Sequence, residues 1–266
     1  MLTYYSATAR ADFWTEHWGG HTVDELLAVA RVSPLTTLVT SALPPDGLVL
    51  EAGCGLGQYV ILLRERGWRA AGVDGSVDAL AAGRHAAAVP LAASDLRALA
   101  LRSNAVTAYV SLGVVEHDVE GPDAILAEAR RVLAPGGTLV ISVPYLNGVR
   151  RLGAPWIRRR QAVLARGGGA FYQYAFSRRE FTAALRRHGF TPLTAHPYDP
   201  ARVLRTAARA VRGSRRGVPG AGSDVAPFRS GDPRRGWLRG IARRALYSEP
   251  ALRLLGHMLL VVARRA

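Results

Sequence analysis

Short apolar runs alternate along the first two thirds of the chain with stretches of helical spacing. Each run is bounded by glycine, proline or polar residues, which is typical of strands buried on both faces of a sheet. Between the runs, apolar positions recur every three or four residues, as in helices that cover such a sheet. The pattern predicts an α/β fold with a doubly wound, mostly parallel sheet and strands at 48–51, 70–74, 89–92, 105–111, 138–143 and 190–196.

The chain divides into a core and three additions. Residues 1–45 are predicted to form a helical cover, because Thr22 to Glu25 is a capping box and Pro34 begins a second short helix. The core is predicted at 46–199 and 256–266. An insertion at 144–176 is interpreted as a lid, and an arginine-rich helical or flexible insertion is predicted at 200–255.

Local signals also divide the second half of the chain. The lid contains three consecutive glycines at 167–169 and an aromatic run at 171–174. A capping box from Ser177 to Glu180 opens a helix that is predicted to end at Gly189. Helical spacing is found again at 201–212, 237–246 and 251–255, and a Gly-, Pro- and Ser-rich stretch at 213–235 separates the first two.

A glycine-rich turn after the first strand carries the clearest chemical signal. Gly53, Gly55 and Gly57 follow an apolar run that ends in Glu51, and Asp74 closes the next strand about 20 residues later. Glycines allow a tight turn and the close approach of a ligand to the backbone. A carboxylate at the position of Asp74 can accept hydrogen bonds from both hydroxyls of a ribose, so the unit is predicted to hold an adenosine-like ligand.

The same turn indicates which adenosine-like ligand binds. A dinucleotide fingerprint requires Gly-x-Gly-x-x-Gly, but position 58 is Gln58 and the spacing here is Gly-x-Gly-x-Gly. Glu51 also brings negative charge near the turn, which would repel a pyrophosphate and favour a cation. A sulfonium with an amino-acid tail satisfies both conditions.

This segment resembles motif I of the class I S-adenosylmethionine-dependent methyltransferases, and the following segments extend the resemblance in order. Ser94-Asp95-Leu96 follows the third strand, Leu112 to His117 follows the fourth, and a helix from Pro122 to Leu133 ends at Pro135-Gly136-Gly137 before the fifth. The resemblance covers roughly 45–145 densely. Within the superfamily, the chain is similar to the small-molecule methyltransferases of the ubiquinone and menaquinone group.

The resemblance implies a Rossmann-like sheet of seven strands, in which the last strand, at 257–263, runs antiparallel beside the sixth. It implies S-adenosylmethionine as methyl donor, S-adenosylhomocysteine as product and no metal. It places the donor-binding residues at Glu51, Gly53, Cys54, Gly55, Gly57, Gln58, Asp74, Gly75, Ser76, Ser94, Asp95, Leu96, Ser111, Leu112 and Gly113. Cys54 is interpreted as a small packed side chain, because no second cysteine or paired base accompanies it.

Charge is distributed unevenly along the chain. Residues 1–149 carry 10 arginines and 15 acidic residues, a net charge of −5, whereas residues 150–266 carry 25 arginines and 5 acidic residues, a net charge of +20. The basic half could attract phosphates, acidic substrates or an anionic membrane. Because the chain contains no lysine, compositional bias of the source genome is the alternative explanation for the arginines. The cluster Arg158-Arg159-Arg160 is interpreted as a solvated face, with anion binding as the alternative.

The chain shows no signal for export or membrane insertion. Cys54 is the only cysteine, so no disulfide framework is possible and a reducing compartment is favoured. No secretory signal begins the sequence, and no apolar stretch approaches the roughly 18 residues of a spanning helix. We therefore expect a cytoplasmic protein that could bind the inner face of the membrane peripherally.

Methyl transfer requires a base only where the acceptor must lose a proton. His117 is the leading candidate, since it follows the fourth strand directly; the alternative is a loop histidine that hydrogen-bonds nearby backbone. Glu116 is interpreted as a solvated or helix-capping charge. Tyr4 and His17 in the N-terminal segment, and Tyr172 and Tyr174 in the lid, are further catalytic candidates. Phe13, Trp14, His17 and Trp18 form an aromatic stripe in the N-terminal segment, for which packing is the favoured interpretation. Either lid tyrosine could instead anchor the lid.

The sequence thus predicts a methyltransferase that acts on a small-molecule acceptor, with oxygen methylation in secondary metabolism or glycan tailoring as the first hypothesis. A lipid or quinone methyltransferase on an anionic membrane surface is the second. A nucleic-acid-binding protein or RNA methyltransferase is the third. The absence of an Asn-Pro-Pro-Tyr-type tetrapeptide and of an RNA-binding module argues against nucleic acid.

Overall fold

A computed structural model describes residues 1–7, 13–202 and 244–266 of the chain. Its centre is a seven-stranded sheet with the order β4-β3-β2-β5-β6-β9-β8, and a separate two-stranded sheet pairs β1 with β7. The strands are β1 Leu2–Ser6, β2 Leu48–Ala52, β3 Arg69–Asp74, β4 Leu91–Ala93, β5 Val106–Leu112, β6 Leu133–Pro144, β7 Ala170–Ala175, β8 Phe190–Tyr198 and β9 Met258–Arg265.

Ten α-helices and one 3₁₀ turn connect these strands within the described residues. The helices are α1 Phe13–Gly19, α2 Val23–Val32, α3 Pro34–Thr40, α4 Gln58–Glu65, α5 Val77–Ala86, α6 Asp123–Val132, α7 Gly148–Leu152, α8 Ala154–Arg166, α9 Arg178–Arg187 and α10 Glu249–Leu255, and the 3₁₀ turn spans Val115–His117. Among these helices, none is both long and apolar enough to cross a membrane.

The predicted sheet is confirmed. Strands β2 to β6 run parallel to their neighbours, and β9 lies antiparallel between β6 and β8. From β2 the chain adds β3 and then β4 toward one edge of the sheet, and from β5 it adds β6 toward the other edge. The strand order therefore reverses between β2 and β5. In open α/β sheets a ligand crevice lies at such a point, beyond the carboxyl ends of the strands.

Apolar side chains fill both faces of the sheet. On one face, Tyr109 of β5 and Ile141 of β6 pack with Leu126 of α6 and with Phe181 and Leu185 of α9. On the other face, strand residues pack with Val39 of α3, Val60 of α4 and Leu80 of α5. Because helices cover both faces, only the strand ends remain open for binding.

The capping boxes at Thr22 and Ser177 are confirmed as helix starts, and the predicted helix at 251–255 lies within α10. Two predicted strand starts were wrong by more than one residue. The third strand begins at Leu91 instead of residue 89, since Pro90 contributes only its carbonyl, to the N–H of Gly72. The strand after α6 begins at Leu133, which had been predicted as helical.

The break at 135–137 therefore lies inside β6. Val106 pairs with Leu133 and Ala108 pairs with Thr138, so the Pro-Gly-Gly segment projects from the ladder as an irregularity. The sheet of β1 and β7 was not predicted, because its strands are about 170 residues apart in sequence. Most of the two predicted insertion helices, at 201–212 and 237–246, lies outside the described residues. The whole stretch at 213–235 between them also lies outside.

Candidate donor and acceptor cavity

A cavity of about 1630 Å³ opens at the carboxyl ends of the parallel strands, where the strand order reverses between β2 and β5. The glycine turn after β2 and Asp74 at the end of β3 lie on one side of this cavity. Residues of α1, the turn at 115–117, β7 and the end of β8 lie on the other. A single ligand site usually occupies roughly 300–1,000 Å³, so the cavity has room for two small molecules side by side.

The glycine turn is fixed by hydrogen bonds to the neighbouring strand. The N–H groups of Gly53 and Cys54 both donate to the carbonyl of Val73. The N–H of Gly55 donates to Asp74 Oδ2 over 2.7 Å, and the N–H of Ser76 donates to Asp74 Oδ1 over 2.8 Å. The carboxylate thus holds the turn and the start of α5 together, and its remaining lone pairs are available to a ligand in the cavity that Asp74 lines.

Most of the predicted donor residues line the cavity. They are Glu51, Gly53, Gln58, Asp74, Gly75, Ser76, Ser94, Asp95, Leu96, Leu112 and Gly113. Asp95 lies at the open rim, where it forms an ion pair with Arg97 over 2.9 Å, and hydrogen bonds from Arg97 lower the pKa of its carboxyl.

Four predicted donor residues do not reach the cavity wall. Cys54 is buried in the core, where burial raises the pKa of its thiol, and Gly72 leaves the space that its sulfur occupies. Ser111 is fully buried on the alternate side of β5 from Leu112, which does line the cavity. Gly55 and Gly57 are covered, since a Cβ at each would meet Trp18 and Leu91 respectively.

Glu51 has an unusual environment for a carboxyl group. Glu51 is 3 % exposed and lines the cavity, yet its Oε2 atom has no hydrogen-bond partner within the described part of the chain. Burial, together with the negative charge of Asp74, raises the pKa of Glu51. A buried carboxyl that faces the cavity fits a ligand with an ammonium or sulfonium charge, because that charge would offset the free energy lost when the carboxylate is removed from water.

Helix α1 closes the cavity from above. Trp14, His17 and Trp18 line it, as the N-terminal stripe turns its aromatic face inward. The indole of Trp18 lies directly over the glycine turn, where a Cβ at Gly55 would approach it to 2.4 Å. Burial lowers the pKa of His17, and His21 and Arg202 lower it further by charge repulsion. The aromatic stripe therefore packs against the glycine turn and also lines the cavity.

The lid tyrosines have different environments. Tyr172 lines the cavity, whereas the hydroxyl of Tyr174 donates to the carbonyl of Val119 over 2.7 Å and fastens β7 to the loop below. Tyr4, the third tyrosine candidate, is outside the cavity wall, and its ring lies 6.0 Å from the guanidinium carbon of Arg150. The structure therefore brings only Tyr172 of the three to the cavity.

His117 has one ring nitrogen fixed by the lid. Its Nδ1 lies 2.7 Å from the carbonyl oxygen of Tyr172. A carbonyl cannot donate a hydrogen bond, so the proton is on Nδ1 and the lone pair is on Nε2. Burial lowers the pKa of His117 to about 4, the Tyr172 carbonyl opposes this shift, and His17 adds to it. His117 is thus neutral at physiological pH and lines the cavity as a proton acceptor.

Glu116 was wrongly interpreted as a solvated or capping charge. It is 1 % exposed and lines the cavity, and no described residue forms a hydrogen bond with its Oε2 atom. Burial raises its pKa to about 8, so the carboxyl is protonated at neutral pH. Its Oε1 lies 3.9 Å from Nε2 of His117. The 3₁₀ turn at 115–117 produces this burial, and sequence alone gives no signal for it.

The sequence also missed cavity residues from the carboxyl-terminal half. Tyr198 at the end of β8, Arg202, and Met258 at the start of β9 line the acceptor side. Burial raises the pKa of Tyr198, and the nearby Arg202 partly offsets the rise that burial causes in the pKa of Tyr172. The described residues contain no group of three or more His, Cys, Asp or Glu that could hold a metal ion.

Comparison with known proteins agrees with this geometry. A family model described as "Methyltransferase domain" matches residues 50–141, which include the glycine turn, Asp74 and His117. Among curated proteins, none matches the sequence significantly.

Solved structures show the same fold. Geranyl diphosphate C-methyltransferase from Streptomyces coelicolor A3(2) aligns with a TM-score of 0.59 at 19% identity, over 100% of this chain and 91% of its own. An S-adenosylmethionine-dependent methyltransferase from Mesorhizobium loti aligns at 0.56 and 19% identity, over 88% and 99%. A putative methyltransferase from Haloferax volcanii, in complex with the Trm112 activator, aligns at 0.55 and 18% identity, over 86% and 87%.

Residues 50–141 thus match a methyltransferase domain, and the chain has the fold of the class I S-adenosylmethionine-dependent methyltransferases. The family match covers the segment that holds the turn and its carboxylate, and the sheet order with an antiparallel β9 is that of the class. The Streptomyces coelicolor structure is a complex with S-adenosyl-L-homocysteine.

Burial of Glu116 predicts a pH-dependent cost to stability. The pKa of this carboxyl is about 8 in the folded protein and about 4.3 in an unfolded chain, so wild type loses stability relative to Glu116→Gln as pH rises from 4.5 to 8. The loss is about 1.4 kcal/mol per pH unit and about 3 kcal/mol by pH 7. Urea unfolding of both proteins between pH 4.5 and 8 measures it.

Glu120→Gln is the matched control, because Glu120 is exposed three residues from the 3₁₀ turn. It should track wild type at every pH. A constant difference in the free energy of unfolding between Glu116→Gln and wild type across this range would show that Glu116 is not held neutral.

The contact between Trp18 and the glycine turn predicts energetic coupling. Gly55 has φ +53, and an added Cβ would collide with the indole, so Gly55→Ala should cost both backbone strain of about 1 kcal/mol and displacement of α1. In a Trp18→Ala background only the strain should remain. Denaturation of the two single variants and the double variant gives the coupling. Additive effects would mean that the indole does not cover the turn in solution.

Proposed function

We propose that this methyltransferase methylates a hydroxyl oxygen of a small-molecule acceptor, with His117 as general base. The observation that carries the proposal is the hydrogen bond from His117 Nδ1 to the Tyr172 carbonyl, which leaves Nε2 as a lone-pair acceptor in the cavity wall. The volume of about 1630 Å³, which exceeds that of a single ligand site, supports a small acceptor beside the donor.

We assign the methyl donor, S-adenosylmethionine, to the half of the cavity beneath Trp18. Asp74 would accept hydrogen bonds from the ribose hydroxyls, and Asp95 would accept one from the adenine amino group. Glu51 supplies a carboxyl that becomes favourably ionised when the cationic end of the donor lies nearby. Leu96 and Leu112 supply apolar surface for the base. These residues fit the donor, which when bound supplies an electrophilic methyl group on a positively charged sulfur.

The chain's own residues have three tasks on the acceptor side. They position an oxygen, exclude water and accept a proton. A low-pKa base suits this reaction, because an alcohol oxygen becomes strongly acidic only as its bond to the methyl carbon forms, so the proton is transferred late. Nε2 receives that proton, and the resulting imidazolium strengthens its Nδ1–H hydrogen bond to Tyr172.

Glu116 keeps this arrangement electrically neutral. A protonated carboxyl 3.9 Å from Nε2 leaves the pKa of His117 low, whereas a carboxylate there would raise it. The protonated oxygen of Glu116 can also donate to an acceptor oxygen, since its Oε2 has no partner among the residues that the structure describes. Glu116 is therefore proposed as an acceptor-positioning residue.

Carbon methylation is the second candidate. Trp14 and Tyr172 surround His117 with ring centroids 4.7 and 5.2 Å away, and aromatic faces stabilise a carbocation. The Streptomyces coelicolor neighbour, a geranyl diphosphate C-methyltransferase, covers the full length of this chain. His117 would then remove a proton from carbon. Mass-spectrometric location of the added methyl group in the product distinguishes oxygen from carbon.

The donor assignment predicts that Asp74→Asn weakens S-adenosylhomocysteine binding by ten- to a hundredfold, on the order of 1.4–2.8 kcal/mol, because one charged acceptor of the ribose hydroxyls is lost. Titration calorimetry measures the dissociation constant. Asp78→Asn is the control, since Asp78 is exposed in the first turn of α5 and outside the cavity wall. An Asp74→Asn dissociation constant equal to that of wild type would refute the ribose assignment.

The base assignment predicts that His117→Asn lowers kcat by about a hundredfold or more and leaves S-adenosylhomocysteine affinity within about threefold. The acceptor is identified first, by labelled methyl transfer to a panel of phenols, catechols and hydroxy acids. His85→Asn, an exposed histidine on α5, should behave like wild type.

The pH profile tests the same assignment in wild type. Because the pKa of His117 is lowered to about 4, kcat/KM should stay constant as pH falls from about 7.5 to 5.5 and decline only as it approaches 4. A decline centred near pH 6.5, the ordinary value for histidine, would mean that His117 is not held in this buried state.

A further inference from the structure

Helices α7 and α8 form one nearly continuous helical segment on the outside of the molecule. The N–H of Gly153 donates to the carbonyl of Val149, and the N–H of Ile157 donates to that of Gly153. The i to i−4 ladder therefore passes through the junction, and residues 148–166 share one set of helical faces.

One face of this segment is used by the fold. Ile157 packs into the small core formed by Leu2, Leu146 and Ala175. Gln161 Oε1 accepts a hydrogen bond from the N–H of Tyr5 over 2.7 Å. This face holds the segment against the sheet of β1 and β7.

A second face is apolar and exposed. Val149, Leu152, Trp156 and Val163 are 44%, 82%, 64% and 58% exposed. At about 100° per residue they fall within a sector about 60° wide, which points away from the face that contacts β1. We name these four residues the outer stripe. Four large exposed apolar side chains on one helical face indicate a binding surface, whereas single ones do not.

Arginines border the outer stripe on both sides. Arg160 lies on one side, and its guanidinium carbon is 5.5 Å from the ring centre of Trp156. Arg159 and Arg166 lie on the other side, and all three are exposed. Residues 148–166 contain no aspartate or glutamate, so nothing within the segment neutralises this charge.

We propose that the outer stripe and its flanking arginines bind the surface of an anionic lipid membrane. An apolar strip inserts at the boundary between headgroups and acyl chains, while arginines beside it reach back to the lipid phosphates. A tryptophan at the centre of the strip suits this interface, where its ring is only partly desolvated. A polyanion such as RNA would engage the arginines and leave the four apolar side chains in water, so the charge and apolar patterns together favour lipid.

The location of the stripe relates this surface to the cavity. The β1–β7 sheet lies between the segment and the cavity, since β1 contacts α8 through Tyr5 and β7 contributes Tyr172 to the cavity wall. Membrane binding would therefore leave only the segment at 148–166 between the lipid and the β1–β7 sheet that borders the cavity. The proposal goes beyond methyl transfer and places the protein peripherally on the inner membrane face.

Co-sedimentation of the full chain with vesicles tests the proposal. Vesicles of phosphatidylcholine and phosphatidylglycerol in equal parts are compared with phosphatidylcholine alone, at low and at high salt. We expect binding to the anionic vesicles only, and weakening by salt because the charges are exposed. Trp156→Ser and Arg159→Glu should each lower the partition coefficient by at least about tenfold.

Two exposed residues away from the segment supply matched controls. Val32→Ser removes an apolar side chain that is 80% exposed at the end of α2, and Arg102→Glu reverses an exposed charge before β5, at the opposite end of the sheet. Both should partition like wild type, and all four variants should keep wild-type S-adenosylhomocysteine affinity, which separates this test from that of the proposed function.

Three outcomes would overturn the membrane proposal. The first is no binding to anionic vesicles. The second is equal loss in the stripe variants and their controls, which would assign the binding to general charge. The third combines two results. In one, the chain binds a single-stranded RNA oligonucleotide, and Arg159→Glu abolishes this binding while Trp156→Ser does not. In the other, Trp156→Ser leaves vesicle binding unchanged.

Discussion

Two backbone hydrogen bonds to the carboxylate of Asp74 hold the site together. The N–H groups of Gly55 and Ser76 belong to different loops, and one side chain at the end of β3 binds both. Because the chain continues from β2 toward one edge of the sheet and from β5 toward the other, a turn fixed there stands over an open crevice instead of over packed helices. The covered backbone of Gly55 then serves as the surface on which Trp18 and helix α1 close.

Closure by α1 and β7 sets the chemistry of the other half of the cavity. Removing water disfavours the charged form of every ionisable group, so the pKa of Glu116 rises while that of His117 falls. Both groups are consequently neutral near pH 7 although they are neighbours in sequence. A neutral base beside a neutral acid provides a proton acceptor and a hydrogen-bond donor without placing a fixed charge next to the acceptor.

The small β1–β7 sheet connects the inside of the molecule with its outside. Its Tyr172 carbonyl sets the tautomer of His117, the hydroxyl of Tyr174 anchors it to the loop at Val119, and its Tyr5 amide holds α8 through Gln161. A displacement of α8 would therefore be transmitted to the ring of His117 through two strands. The lid region thus positions the proposed base and presents the outer stripe at the same time.

Local patterns were enough to predict most elements, because the signals involved act over a few residues. The capping boxes at Thr22 and Ser177, the apolar runs of the sheet and the spacing from the glycines to Asp74 each depend on neighbours in sequence. The same spacing placed Asp74 at the cavity without any knowledge of the surroundings. It could not tell that the side chain of Ser111 points into the core, since that depends on which face of a strand packs against which helix.

The sequence by itself determined the fold class, most of the strands and helices, and the carboxylate of Asp74 beside the glycine turn. Only the tertiary structure decided which of Tyr4, Tyr172 and Tyr174 reaches the cavity, and that Glu116 is buried and neutral. The reason is physical. Burial, tautomer and pKa depend on groups such as the Tyr172 carbonyl, which lies 55 residues away from His117 in sequence, and no local pattern encodes contacts of that range.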